Sequence, residues 1–334
     1  MSRSRILGNT GLAAVCAALV AASGPAAAQE AVSIGTSSVG STFYIISVGM
    51  SQIIQKYAKL NVTVEPLGGS HANMFGVARG KVDFAMGNSG ATFDRYHGNK
   101  PFEKPFELRL VAQGQASYRG IFVRADSGIN SPRDLVGKVI MGKRKPLPEL
   151  EKLTNAMIEV YGLPKAKIKI VSSRNLGEVN RMLRAGSVQA SSYPFSERQP
   201  VISKLFNDGI VKPLIFAEDK YDAMKKLLPD MFYKHFIPAN TWKNQPKGFW
   251  TFGLSTHLVT SAKQDAGIVY RVTKALLGNT KEFSKYHGSA RHWNTKRTLS
   301  NPAVPFHEGT IRYFKEVGAW TSKMAALQAK LLKR

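Results

Sequence analysis

Three cations stand in a row at Lys143, Arg144 and Lys145, closing the run "GKVIMGKR" and opening "KRKPLPE". A nucleotide phosphate loop needs Gly, four residues, Gly, Lys and then a hydroxyl for magnesium. Gly137, Gly142 and Lys143 meet most of that spacing, but Arg144 occupies the hydroxyl position. The residues between the glycines, Lys138 to Met141, have strand character, so they cannot be the loop that cradles phosphate. Nucleotide binding is set aside. Cations at a strand end still suit another anion, and a solvated basic loop is the alternative. A second string, "GNSGA" at residues 87–91, resembles a nucleophile elbow with Ala91 in the last place. Such a serine needs a histidine and an acid beside it. None of the seven histidines has a diagnostic context. Ser89 is better read as a hydrogen-bonding hydroxyl. His287 and His292 are five residues apart, which misses the spacing that places two metal ligands on one helical face. Gly40, Ser41 and Thr42 stand at a helix start, where backbone N–H groups favour an anion. A plain helix cap is the alternative for the two hydroxyls.

These groups fall at junctions of a regular alternation. "AVSIGT", "NVTVEPL" and "VDFAMGN" read as strands separated by helical segments. In the first helix Ile45, Val48, Ile53 and Ile54 form the expected apolar stripe. "LRLVAQG" and "YRGIFVRAD" read as two further strands. Ser131-Pro132 opens a short helix, "KVIMG" and "KIKIVSS" are strands, and "LPELEKLTNAMIEVYGL" and "NLGEVNRMLRAGS" are helices, the second ending at Gly186. "VQASSYPF" and "FWTFGLSTHLVTS" are strands, and "AGIVYRVTKALLGN" and "GTIRYFKEVGAW" are helices. Alternation of this kind predicts an α/β fold of two lobes, each a mostly parallel sheet flanked by helices. Ligands of open α/β sheets bind at strand carboxyl ends. The Gly-rich loops there point to one cleft between lobes joined by hinge strands.

The chain has 334 residues, 43% of them hydrophobic, which suits a globular protein with two lobes. "MSRSR", an apolar run and "GPAAAQE" form a secretory signal over residues 1–28, with cleavage near Ala28. Cys16 is the single cysteine and lies within it, so the exported chain has neither disulfide nor thiol chemistry. The 47 Lys and Arg against 22 Asp and Glu give a net charge of +25. Loss of Arg3 and Arg5 with the signal leaves about +23. The basic residues are scattered and form no nucleic-acid motif, so attraction of small anions is preferred over polyanion binding.

The ordered set "VSIGTSSVGSTFYIISVGMSQIIQKY", "NVTVEPLGGSHANMFGVARGKVDFAMGNSGATFDRYHG", "RADSGINSPRDLVGK", "IPANTW" and "PFHEGTIRYFKEVGAW" resembles the substrate-binding receptors of TRAP transporters, TAXI class, over nearly the whole exported chain. The resemblance implies a periplasmic, non-enzymatic receptor that closes on a small organic anion, such as a carboxylate or glutamate. The receptor would deliver it to TRAP membrane permease subunits, as a monomer, without cofactor, metal or nucleic acid. It implies lobe 1 from 29–124 plus 251–334 and lobe 2 from 125–250. By position the ligand-binding residues are Thr36, Ser41, Thr42, Tyr44, Ser70, Asn73, Asn88 and Ser89, and His71 and Tyr193 are further candidates. The family's second-lobe loop carries Gly, Ser and Thr where this chain has "GKRKPLPE", so Lys143, Arg144 and Lys145 join the set. Family acids are also missing at Gln189 and Gly90. The expected ligand is therefore glutamate-like or more anionic, a di- or tricarboxylate. A periplasmic enzyme using Ser89 in the same cleft, and a basic polyanion-binding protein, are the alternatives.

Overall fold

The computed structural model describes residue 1, residues 30–197 and residues 199–333. The signal segment with Cys16 and Ala28 lies outside the described residues.

The described residues form ten strands: β1 (Ala31–Ser37), β2 (Asn61–Gly68), β3 (Phe84–Asn88), β4 (Leu108–Arg124), β5 (Val139–Lys143), β6 (Lys169–Ser172), β7 (Ala190–Phe195), β8 (Val211–Pro213), β9 (Tyr233–Ile237) and β10 (Phe249–Ser261). They form one sheet in the order β2-β1-β3-β10-β4-β7-β5-β6, with β8 on β4 and β9 on β10. β1 is parallel to β2 and β3, and β5 is parallel to β6 and β7. The antiparallel pair β4/β10 joins these two parallel blocks. The stretches "LRLVAQG" and "YRGIFVRAD", expected as two strands, are one strand of 17 residues. The intervening Ala116 and Ser117 keep strand pairing with β10.

Among the described residues, eight helices of eight or more residues lie up to residue 278: α1 (Thr42–Ala58), α2 (Ser70–Ala78), α3 (Ser89–His97), α4 (Glu149–Val160), α5 (Leu176–Ala185), α6 (Pro200–Asn207), α7 (Glu218–Leu227) and α8 (Ala266–Gly278). The Ser41 side chain caps α1 by accepting from Tyr44 N at 3.2 Å, and Asn88 caps α3 by accepting from Ala91 N at 2.9 Å. Each such cap contributes about 1 kcal/mol and brings free N–H groups to the end of a strand. Along α1 the buried stripe is Phe43, Ile46, Met50, Ile53 and Ile54. The expected Ile45 and Val48 are only half-buried. Spacing of three and four residues keeps Ile46, Met50, Ile53 and Ile54 on one face, all fully buried. Burial of each contributes about 1.5–3 kcal/mol.

The apolar core is divided. One cluster gathers β1, β3, α1 and α8 with Leu108–Ala112 of β4 and Leu258–Val259 of β10. Two others gather α4, α5 and α7 with Tyr118–Val123 of β4 and Phe249–Leu254 of β10. The core therefore changes over inside the two long strands, at Gln113–Ser117 and Ser255–His257. There β4 carries one residue more than its partner, since Ala116 faces Ser255 while Gln113 faces His257. Gly114 belongs to this bulge, and a Cβ there would lie 2.0 Å from the Trp293 ring. Trp293 is fully buried and its Nε1 donates to Gln115 Oε1.

Candidate functional site

A cavity of about 40 Å³ lies where the two cores meet, at the carboxyl ends of β1, β2 and β5. That is room for about three or four water molecules at about 10–15 Å³ each. Ser37, Ser41, Thr42, Phe43 and Ser70 line it from one side, and Arg144, Leu147, Leu176, Pro194, Phe195 and Ser196 from the other. Gln115, Ser117 and Arg119 of β4 close its floor. Thr42 Oγ1 and Ser196 Oγ, 2.8 Å apart, make a buried hydrogen bond across it.

Of the three adjacent cations only Arg144 turns inward. It is 2% exposed, while Lys143 is half-buried and Lys145 is exposed, and neither lysine lines the cavity. A short turn produces this placement, because Leu147 N donates to Arg144 O at 2.9 Å after β5 ends. Arg144 Nη2 donates to Ser38 Oγ at 2.8 Å and to Gly68 O at 2.7 Å, both on the opposite side of the cleft. Its Nε has no hydrogen-bond partner. Among the described residues no carboxylate lies within ion-pair distance of Arg144. Burial lowers its pKa from 12.5 to about 10, with Glu149 partly offsetting and Arg119 adding to that effect. A guanidinium in this state is a cation without a counterion in a poorly hydrated place.

Arg119 and Glu149, which carried no role in the sequence reading, make the second feature of the cleft. Arg119 Nη2 and Nε donate to Glu149 Oε1 at 2.7 and 3.2 Å, and Nη1 donates to Ser117 Oγ and Tyr118 O, each at 2.8 Å. Glu149 also accepts from Asn88 Nδ2 at 2.8 Å, reaching from the start of α4 to the start of α3. The charge of Arg119 is thus matched inside the protein. No spacing rule could link these residues. Arg119 sits in mid-strand and Glu149 is thirty positions on, so only the sheet brings them together.

The other expected residues divide. Ser41, Thr42 and Ser70 line the cavity; Ser70 Oγ also accepts from Asn88 N at 3.1 Å. Asn88 and His71 face a larger recess of about 580 Å³ on the far side of the Arg119–Glu149 pair. The His71 ring stacks on Phe102, with Nδ1 3.8 Å from Glu149 Oε2 and Nε2 3.6 Å from Asp94 Oδ2. Thr36 and Asn73 are fully buried, and Asn73 Nδ2 donates to Met86 O at 2.7 Å, which serves the fold. Tyr44 is half-buried and its neighbour Phe43 takes the lining position. Tyr193 does not reach the cavity. It packs on Phe122 in the core, its hydroxyl donates to Asn180 Oδ1 at 2.7 Å, and burial pushes its pKa up. Ser89 Oγ accepts from Ser255 N at 3.2 Å, and among the described residues no histidine is hydrogen-bonded to it. That arrangement does not activate a nucleophile. Among the described residues there is no cluster of metal-ligating side chains, and no helix is long and apolar enough to cross a membrane.

The fold that carries this cleft is similar to that of solved periplasmic binding proteins. The solved structure of periplasmic binding protein BugD is similar over 91% of this chain and 94% of its own, at 12% identity and TM-score 0.54. MatC from Rhodopseudomonas palustris, solved with bound malate, is similar over 88% and 99%, at 11% identity and TM-score 0.55. PhnD1 from Prochlorococcus marinus, in complex with methylphosphonate, is similar over 87% and 100%, at 9% identity and TM-score 0.54. These likenesses establish the fold. Residues 34–318 match the model of the NMT1-like family, and the chain belongs to that family.

Proposed function

We propose that this protein is a periplasmic receptor that captures a small organic anion between its lobes and hands it to a membrane transporter. The observation that carries the reading is Arg144, a buried cation with an unpartnered Nε, in a cavity lined by the hydroxyls of Ser41, Thr42, Ser70, Ser117 and Ser196. An anion held there supplies the missing counterion, and charge-assisted hydrogen bonds from guanidinium and hydroxyls are the strong ones. The fold shared with proteins solved with malate and methylphosphonate supports an anion as the ligand. The large positive charge of the exported chain, about +23, assists capture by steering. Because the cavity is small, entry requires the lobes to part, and closure over the ligand makes the form a partner recognises. The resemblance to TAXI receptors favours a TRAP-type permease as that partner, and the changeover of the core at Gln113–Ser117 and Ser255–His257 favours a division of the lobes inside β4 and β10 instead of near residues 124 and 251. Export rests on the signal-like residues 1–28.

The test is a thermal-shift screen over carboxylates, sulfonates and phosphonates, repeated on Arg144→Ala. A ligand present at a hundredfold excess over its Kd adds about 2.7 kcal/mol to folded-state stability. Shifts that vanish in Arg144→Ala support the reading. An absence of shifts with every anion, or shifts untouched by the substitution, refutes it.

A further inference from the structure

Resting on the reading of the cleft as an anion site, we infer that its ligand bears a single net negative charge and that Glu149 sets this limit. Two cations line the cavity, Arg119 at 1% exposure and Arg144 at 2%. Read from the loop alone, the second lobe offers three cations and no acid. In the fold, Lys143 and Lys145 stay out of the cavity, while Glu149 at 5% exposure comes in beneath Arg119. Its bonds to Arg119 Nη2 and Nε consume that charge. The only side-chain hydrogen bonds of Arg144 among the described residues run from Nη2 to neutral acceptors. The buried charges therefore sum to one positive.

A singly charged anion brings the closed cleft to neutrality. A dianion leaves one negative charge over, held close to the Glu149 carboxylate where low dielectric makes like-charge repulsion large. The hydroxyls can bond oxygens of either ligand, so they do not discriminate by charge. The carboxylate is thus a specificity-determining group that acts on the ligand through Arg119. Removing it would turn the same cavity into a site for dianions.

The experiment measures Kd from thermal-midpoint titrations at constant ionic strength, with nitrate, formate and methanesulfonate set against sulfate and malonate. Only effects lost in Arg144→Met are counted as arising in the cleft. In the wild type the monoanions should bind at least about tenfold more tightly than the dianions. Glu149→Gln, which raises the cavity charge to two positive, should reverse the order. Should that variant not fold, the double substitution Arg119→Met with Glu149→Met keeps one net positive charge and should keep the monoanion preference. Stronger binding of dianions to the wild type overturns the inference but leaves an anion receptor standing, as does an order unmoved by Glu149→Gln or lost in the double variant. No Arg144-dependent effect from any anion overturns both.

Discussion

Replacing Arg144 by Met should make the cleft close more readily in the absence of any anion, while abolishing anion binding. The buried guanidinium has its pKa lowered from 12.5 to about 10. At 1.36 kcal/mol per decade, the charged form is disfavoured by about 3 kcal/mol. This cost falls on closure more than on folding. The groups that surround the guanidinium, Ser38 and Gly68, lie across the cleft, and parting the lobes returns it to water. Methionine removes the charge and keeps most of the volume. It also takes the guanidinium donor from the Ser38 hydroxyl and from the Gly68 carbonyl, which keeps only the 3.3 Å bond from Ser37 Oγ, at about 1–2 kcal/mol. The balance is about 1–2 kcal/mol in favour of the closed form, a five- to thirtyfold shift in population. Residues from Gln29 onward contain no cysteine, so spin labels can be placed on cysteines introduced at Glu103 and Lys226, both exposed. Pulsed-dipolar distances without added anion should move to the short population in the variant. An unchanged distance distribution, or a shift to longer distances, would refute the assignment of the charge cost to closure.

Three further outcomes follow from the same geometry. Gly114→Ala places a Cβ 2.0 Å from the Trp293 ring and should lower stability by about 1–3 kcal/mol, read as a reduced urea midpoint. Thr42→Val removes the 2.8 Å bond to Ser196 and should raise the Kd of the bound anion about fivefold, mainly through faster release, in stopped-flow measurements. His257 is fully buried, Nε2 faces Gln113 Oε1 at 2.9 Å, Nδ1 has no partner, and burial pushes its pKa down to about 3. The unfolded chain takes up this proton near pH 6.5 and the folded chain resists it. Stability is therefore lost as pH falls from 6.5 towards 3, by up to about 5 kcal/mol from this residue. Denaturation of His257→Gln between pH 7 and pH 4 should show a shallower acid slope than the wild type, and parallel slopes would count against the assignment.

Most of the scaffold could be read from periodicity. The strand expected at "FWTFGLSTHLVTS" is β10 residue for residue, and the helix expected to end at Gly186 does so, with that glycine at φ +73. Local rules sufficed because each of these segments has its pattern and its stop signal within a dozen residues. The span of β4 across both cores was not legible. Nothing local distinguishes a strand that continues through "GQAS" from two strands separated by a turn. The same limit governs the site. Ser41, Thr42 and Ser70 were found because helix starts after strands are local events. The Arg119–Glu149 pair was missed because its meaning depends on the sheet order β4-β7-β5, which brings mid-strand Arg119 under the start of α4. Tyr193 shows the converse. It is a candidate ligand residue in the strand "VQASSYPF", yet its ring packs in the core beside Phe122.

The continuity of β4 and β10 has a mechanical consequence. Two lobes tied by a free loop can rest at any angle, and no work is stored in moving them. Here the tie is a hydrogen-bonded ribbon, so changing the angle between the lobes means twisting the ribbon against its own preferred geometry. The extra residue of β4 opposite Thr256 loosens the ladder at that point and concentrates the deformation there. The Trp293 ring, seated on Gly114, presses on the same spot. The molecule is in this sense a torsion spring whose soft coil is the bulged stretch of β4, with one extra residue opposite Thr256 and another between the partners of Leu258 and Val259. The soft coil confines the bending to a few peptide units and leaves the two walls of the cleft rigid.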